Sequence, residues 1–409
     1  MNMKRIILIT FVLLINNISH SQWIQQSSGV TSALQRTRFI NQNTGWCCGN
    51  ASVILKTTNG GINWFSQNSG TTGRILTDIF PVNDSIIYVV GYFDTILKST
   101  NGGTNWIIIA NGQSSHSYNC CFFINEKTGW IGTSAPGTRK TTDGGNTFIE
   151  QFVNEIPDDF YFKDSLNGNF SGGASVVKTS NGGENWTITT IETPGIGLEE
   201  FDRISFVNDL TGFVVGDRGT VHKTTNFGTT WDSVGQITDV AETMYCSKFI
   251  NDSVGYAGGN FDRLFKTSSG GKFWTRQNFT GNPYDIYTYS DSVVWLCGNG
   301  GIIFHTTSGG QTGINTISQN IPESFELYQN YPNPFNPFTK IKFSIKYSGS
   351  YNLEIYNSLG QLSGTLFSKQ LNPGEYEYNF DGSRLTTGIF FYRLSSENFS
   401  QTKKMILIK

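Results

Sequence analysis

Adjacent carboxylates are the first residues in this chain that could do chemistry. Asp158 and Asp159 form one pair and Glu199 and Glu200 another, both in irregular polar stretches. Glycoside hydrolysis uses two carboxyls about 5 to 9.5 Å apart, one as acid and one as base or nucleophile. Arg36, Arg38, Arg74 and Arg203 could grip a substrate carboxylate through paired N–H donors. With Tyr118, Asp202, Tyr284 and Asp285, the same arginines can instead be read as a mixed-charge binding rim that performs no chemistry. Other catalytic sets are missing. His20, His116, His222 and His305 show no metal-ligand spacing, and there is no phosphate loop, dinucleotide fingerprint or nucleophile elbow. Cys47, Cys48, Cys120, Cys121, Cys246 and Cys297 have no C-x-x-C spacing, which argues against structural zinc. Neither a cofactor nor a metal is expected.

The elements that would position these residues come from a repeat. Lys56-Thr57-Thr58-Asn59-Gly60-Gly61-Ile62-Asn63-Trp64 recurs with little change at 98–106, 140–148, 178–186, 223–231 and 266–274, and in part from His305. The second glycines of these boxes follow one another at intervals of 38 to 45 residues. Upstream in each unit lies a second landmark, clearest as Phe39-Ile40-Asn41, Gly45-Trp46 and Gly49. About four short strands fit in one unit of about 42 residues, the size of a propeller blade. The box reads as a bracket between the third and fourth strands, its Asn or Asp accepting backbone N–H groups and its glycines taking positive φ. The seventh box lacks its aromatic, with Gly313 in the place of Trp, while Trp23 has no box before it. Ring closure explains both, with the strand near Trp23 completing blade 7. The vicinal cysteines lie in apolar runs and read as small buried hydrophobes. Cys48 and Cys297 precede equivalent glycines in the first and last units, so closure brings a bridge between them into consideration.

Composition agrees with an all-β chain. Charged residues are 15% and aromatics 14%, with 46 glycines among 409 residues. Lys plus Arg is 29 against 31 for Asp plus Glu, a balance that argues against nucleic-acid binding. Lys4 and Arg5 precede an apolar run over 6–15, and Ser19 and Ser21 precede Gln22, the pattern of a signal peptide over 1–21. No later stretch is apolar enough to span a bilayer. After a linker over 316–328, residues 329–409 open with Asn330-Tyr331-Pro332-Asn333-Pro334-Phe335 and continue as alternating strands, the pattern of an immunoglobulin-like sandwich.

The K-T-T-[ND]-G-G-x-x-W boxes and F-x-N-x-x-x-G-W-x-x-G landmarks resemble those of photosystem II assembly and stability factor propellers. They are also similar to the wider Asp-box (BNR-repeat) class, with its sialidases, sortilin-type receptors and xyloglucanases. The resemblance covers 22–315 and implies a seven-bladed β-propeller closed by an N-terminal strand. It leaves open a binding scaffold or a sialidase- or xyloglucanase-like hydrolase using Asp158, Asp159, Glu199 or Glu200. The Phe-Arg-Ile-Pro segment of sialidases is missing, and seven blades is one more than sialidases have.

The tail resembles the type A C-terminal sorting domain of the type IX secretion system. The resemblance rests on the N-Y-P-N-P-F-N-P run, I-Y-N-S-L-G-Q at 355–361, G-I-F-F-Y-R-L at 388–394 and the terminal K-K-M-I-L-I-K. It implies passage through the periplasm of a Bacteroidota-type envelope to the cell surface or exterior. The expected protein is a secreted, non-enzymatic propeller. Its expected partners are the secretion machinery, through 329–409, and a protein, glycan or envelope ligand on the propeller face.

Overall fold

A computed structural model describes residues 23–408, apart from 111–115, 194, 238–243, 278, 311–313, 319, 337 and 383–384. The expected signal peptide lies outside the described residues. The chain forms two compact units, which part between Gly310 and Gln311.

Among the described residues the first unit holds seven four-stranded antiparallel sheets and one two-stranded ribbon. Blade 1 is Leu34–Phe39, Gly45–Gly49, Ile54–Thr57 and Phe65–Gln67, in that order from the axis outward. Blades 2 to 6 repeat it, with inner strands Leu76–Pro81, Tyr118–Phe123, Asp159–Phe162, Ile204–Phe206 and Met244–Phe249. Blade 7 consists of Pro283–Thr288, Val294–Gly298 and Ile303–Thr306, and its outer strand is Ile24–Gln26. Ile24 pairs with His305 and Gln26 with Ile303, so the two ends of the propeller share one sheet. No strand edge is left open at the seam.

Each repeated residue has a mechanical task. The Asn41 side chain accepts the N–H groups of Asn43 and Thr44 and turns the chain from the first strand to the second. The Phe39 ring lies over Gly45, where a Cβ would come within 2.4 Å of it. In the box, Thr57 Oγ1 accepts the Gly61 N–H at 2.8 Å and Asn59 Oδ1 accepts the Asn63 N–H at 3.0 Å, which brackets the third and fourth strands as expected.

The box also joins blades, a task the repeat pattern did not reveal. Trp46 Nε1 of blade 1 donates to the Gly102 carbonyl of the blade 2 box at 3.3 Å, and Lys56 Nζ donates to the same oxygen at 2.7 Å. The Lys56 ammonium stands 5.3 Å from the centre of the Trp46 ring. Tyr88 and Lys98 hold Gly144 in the same way, and Tyr256 and Lys266 hold Gly309. Trp295 Nε1 donates to Gly60 at 3.0 Å and carries the pattern across the seam. The Phe rings of the inner strands stack on these aromatics, as Phe39 does on Trp295 at 3.9 Å and Phe162 on Trp130 at 3.6 Å. Trp46, Trp130 and Trp295 stand on second strands rather than at the axis.

Among the described residues the second unit is a sandwich of two four-stranded antiparallel sheets. Its first strand, Ile314–Ser318, pairs with Gly374–Asp381, so the boundary expected at 315 falls at 310 and the expected linker begins inside a strand. The seventh box has no aromatic to anchor a fourth strand, and Ile24–Gln26 already occupies that place. Three of the four tail motifs meet in space. Tyr392 Oη accepts the Asn330 N–H and donates to the Tyr328 carbonyl, each at 2.8 Å. Asn333 Oδ1 accepts the Ile406 N–H of the last strand at 2.9 Å.

Replacing Gly103 with Ala tests the box joint. The Gly103 φ is +91°, and a Cβ would lie 3.1 Å from Trp46 Nε1. The expected loss is about 1–3 kcal/mol, read as a lower urea midpoint with unchanged slope.

Candidate functional site

The inner strands place one residue per blade at the same level of the axis, three positions before the strand's last residue. These are Arg36, Asp78, Cys120, Asp159, Arg203, Cys246 and Asp285. Arg36 is fully buried and reaches three other blades. Its Nε lies 3.1 Å from Asp78, and its terminal nitrogens lie 3.3 Å from Asp159 and 3.3 Å from Asp285. Arg38 approaches Asp285 at 2.7 Å, and Arg203 Nε stands 3.9 Å from the same carboxylate. Three guanidiniums and three carboxylates therefore neutralise one another around the axis.

The carboxylates are also bound to the backbone. Asp285 accepts the Thr37 N–H at 3.0 Å, Asp78 accepts Cys121 N–H at 2.9 Å and Asp159 accepts Ile204 N–H at 3.3 Å. Each bond joins one blade to the next. Burial alone would lower the Arg36 pKa, but Asp78, Asp159 and Asp285 outweigh it and raise it. Burial opposes ionisation of Asp285, yet Arg38, Arg36 and Arg203 hold its pKa below the usual value. Lys248 feels the charges of Asp159, Arg38, Asp285 and Arg36, and burial pulls its pKa down.

The mouth lies one residue nearer the incoming chain. In five blades the inner strand carries a bulge at this point, between Leu34 and Arg36 in blade 1 and at the matching places in blades 2, 3, 6 and 7. The extra residues are Gln35, Thr77, Asn119, Tyr245 and Tyr284, all partly exposed. Asp158 and Asp202 hold the same place in blades 4 and 5. A bulge frees a residue from the ladder and re-aims it. It also explains Gly49, where a Cβ would lie 2.2 Å from the Ala33 carbonyl oxygen. Tyr245 and Tyr284 meet edge to face at 5.6 Å.

The acidic side of the mouth is shaped by a small ribbon, Glu192–Thr193 with Gly197–Leu198, just before the blade 5 inner strand. It holds Glu199 and Glu200 beside a cavity of roughly 380 Å³ that Gly173, Ala174, Leu198, Asp217 and Arg218 also line. Glu199 is buried and committed, accepting the Arg218 N–H at 2.7 Å and the Thr220 hydroxyl. Asp158 is pushed up to about 7 by burial and by the Asp202 carboxylate, against the pull of Arg203. Asp217 is pushed up to about 6 by burial, Asp202 and Glu200.

Of the residues singled out in the sequence, the structure gathers Arg36, Arg38, Asp159, Arg203 and Asp285 into the plug. It places Asp158, Asp202 and Tyr284 at the mouth, with Glu199 and Glu200 beside them. Tyr118 is elsewhere. It is buried at the joint of blades 2 and 3, its hydroxyl 2.5 Å from Asp94 and in contact with Arg139. Arg74 lies in the loop leading to blade 2, stacked on Phe93 at 5.3 Å. Asp78, Lys248, Asp217 and Tyr245 were missed. Aligning the inner strands on their last residues, with Pro81 of blade 2 matched to Phe39 and Phe249, would have found Asp78 and Tyr245. Among the described residues no group of three His, Cys, Asp or Glu side chains could hold a metal ion.

Residues 329–409 match the secretion system C-terminal sorting domain. Residues 15–114 match the photosynthesis system II assembly factor YCF48 family. Among solved structures, YCF48 bound to D1 peptide superposes with a TM-score of 0.59 at 16% identity, over 74% of this chain and 100% of that one. YCF48 from Cyanidioschyzon merolae gives 0.58 at 18% identity, over 69% and 98%. An ancestral GH74 enzyme gives 0.55 at 13% identity, over 93% of this chain and 63% of the enzyme. No curated protein matches the sequence. The chain thus joins a YCF48-like propeller to a secretion sorting domain.

Two outcomes follow from the plug and the mouth. Arg36→Met takes from buried Asp78 its nearest counter-charge and from Asp285 one of three, and should cost about 3–5 kcal/mol in chemical denaturation. Asp158 keeps its proton in the folded state up to about pH 7, whereas the unfolded chain releases it near its ordinary value of 3.8. Stability therefore falls as pH rises between those values. Asp158→Asn should melt higher than the parent at pH 8, with the gap closing towards pH 4.

Proposed function

We propose that this chain is an exported binding scaffold that recognises a basic peptide segment at the propeller mouth and performs no catalysis there. The C-terminal domain directs it through the type IX secretion system to the cell surface or exterior. The observation that carries this reading is where the carboxylates spend their bonding capacity. Asp159 faces Arg36 and an N–H of blade 5, and Glu199 is consumed by Arg218 and Thr220. Asp158, Asp202, Glu200 and Asp217 remain as an acidic wall that continues towards the paired Tyr245 and Tyr284. Such a surface suits a cationic partner with hydrogen-bonding groups, and charge of one sign steers its approach. A propeller of the same fold, YCF48, has been solved bound to D1 peptide, which supports a peptide as the partner.

A second reading has one observation in its favour. Asp158 titrates at about 7, which is where a general acid works. In that reading Asp158 and Glu200 flank a sugar, and the protein is a secreted glycosidase.

One experiment separates the two. The purified chain is titrated with a panel of basic peptides, and in parallel incubated with polysaccharides and sialylated glycans whose release is followed by mass spectrometry. Binding that weakens with salt and drops on the order of tenfold in Asp202→Asn with Glu200→Gln supports the scaffold. Released sugar that disappears in Asp158→Asn overturns it. For the tail, deletion of 329–409 should leave the propeller inside the envelope, as read by cell fractionation. Continued appearance in the medium would remove the sorting role.

A further inference from the structure

The vicinal cysteines of blade 1 point in opposite directions, because successive side chains on a strand face opposite sides. Cys48 faces blade 2, where its thiol donates to the Leu76 carbonyl at 3.6 Å and it packs with Ile79 and Val89. Cys47 faces blade 7 and shares a buried cluster with Trp295, Cys297 and Ile303. The bridge between Cys48 and Cys297 considered from their matching positions is therefore on the wrong face, and Cys47 is the residue that meets blade 7.

The strand registers align the two thiols. Cys47 lies opposite Thr37 within blade 1, and Cys297 lies opposite Asp285 within blade 7. Thr37 and Asp285 are themselves joined across the seam by the 3.0 Å hydrogen bond from the Thr37 N–H. Cys297 Sγ also donates to the Leu34 carbonyl of blade 1 at 3.6 Å and lies within hydrogen-bonding reach of Cys47. Both cysteines are fully buried, and both are thiols in this structure.

We propose that Cys47 and Cys297 form a disulfide that locks blade 7 to blade 1 once the protein has left the cytoplasm. The oxidant is an external disulfide, either a small-molecule one such as oxidised glutathione or that of an oxidoreductase. One cysteine thiolate attacks it, forms a mixed disulfide and expels one external thiol. The second cysteine thiolate then displaces the other external half. The protein gains one S–S bond and loses two S–H bonds. Two electrons reduce the external disulfide, and the two protons end on the released thiols. In the closed ring burial holds the Cys297 thiol well above its ordinary pKa, so the exchange belongs to the stage before the seam is sealed.

The bond adds to a latch that already exists. Gln26, on the closing strand, donates to the Gly60 carbonyl at 3.0 Å and accepts from Trp64 Nε1 at 3.2 Å. Those contacts hold the outer part of the seam, and the disulfide would hold its inner part. The remaining buried thiols have other work. Cys120 and Cys246 donate to the Pro157 and Pro283 carbonyls of the next blades at 3.5 and 3.7 Å.

The test refolds the full chain from reductant in a mixture of reduced and oxidised glutathione, then alkylates, digests without reduction and reads the peptides by mass spectrometry. The expected product joins the Cys47 and Cys297 peptides, two hydrogens lighter than the reduced pair, with four of the six cysteines alkylated. Cys48→Ala should keep the link and Cys297→Ala should abolish it. The oxidised chain should melt several degrees above the reduced one. Six alkylated thiols in oxidatively folded protein, or a link through Cys48, Cys120, Cys121 or Cys246, would overturn the proposal. Protein collected from the periplasm or medium without exposure to reductant gives the same two-way reading where refolding in vitro fails.

Discussion

Everything near the axis depends on one guanidinium. Arg36 is on blade 1, and its ion pairs reach blades 2, 4 and 7. A carboxylate taken out of water is tolerated only with a counter-charge at close range. Asp285 meets Arg36 and Arg38 only when the ring is closed, because only then does blade 7 flank blade 1. The plug thus makes an open ring costly in proportion to the charge it would strand. A planar donor fork is suited to the task, since its several N–H groups diverge towards different partners, which an ammonium on a flexible stem does less well.

Further out, the repeat takes over from the charges. At the joints of blades 1 and 2, 2 and 3, and 6 and 7 an aromatic residue and a lysine of one blade converge on a glycine carbonyl in the box of the next, and Phe rings stack on the aromatics Tyr88 and Trp130. These contacts depend only on residues that recur with the period of the blade, so they can be repeated around the ring without regard to position. The axis cannot work that way. Seven identical charged residues at one level would repel one another, so the level must be filled by different residues whose charges cancel. The sequence is accordingly most alike at the boxes and least alike at the inner strands.

This division explains what could be read from the residues alone. Period, blade count, the role of the box as a bracket and closure by the strand after Trp23 all rest on residues that recur. Lys56 and Trp46 also recur, but their shared target lies in the next blade, and a repeat within one unit carries no information about its neighbour. Arg36, Asp159, Arg203 and Asp285 could be named because charge in an apolar strand is conspicuous. Their pairing could not, since it depends on which blades face each other across the axis. Asp78 was hidden between Thr77 and Ile79 until the strands were aligned on their last residue. The side on which Cys47 and Cys48 fall depends on strand register. The boundary at 310 depended on a strand, Ile314–Ser318, that carries no box to mark it.

The same division favours the mouth over the plug for the recognition proposed above. Residues of the plug already have partners of opposite charge, so a ligand reaching them would have to replace contacts that hold four blades together. The residues one place above the plug make none of its ion pairs, and in five blades the ladder skips them. Gln35, Thr77, Asn119, Asp158, Asp202, Tyr245 and Tyr284 can differ in kind without disturbing the strands behind them. Their differences are concentrated: uncharged groups on blades 1 to 3, carboxylates on blades 4 and 5, tyrosines on blades 6 and 7. A ring whose scaffold is nearly seven-fold therefore presents a face that is not. An asymmetric face on a stiff support lets an extended partner bind in one orientation. The balanced plug beneath it keeps the buried charges from contributing a competing field.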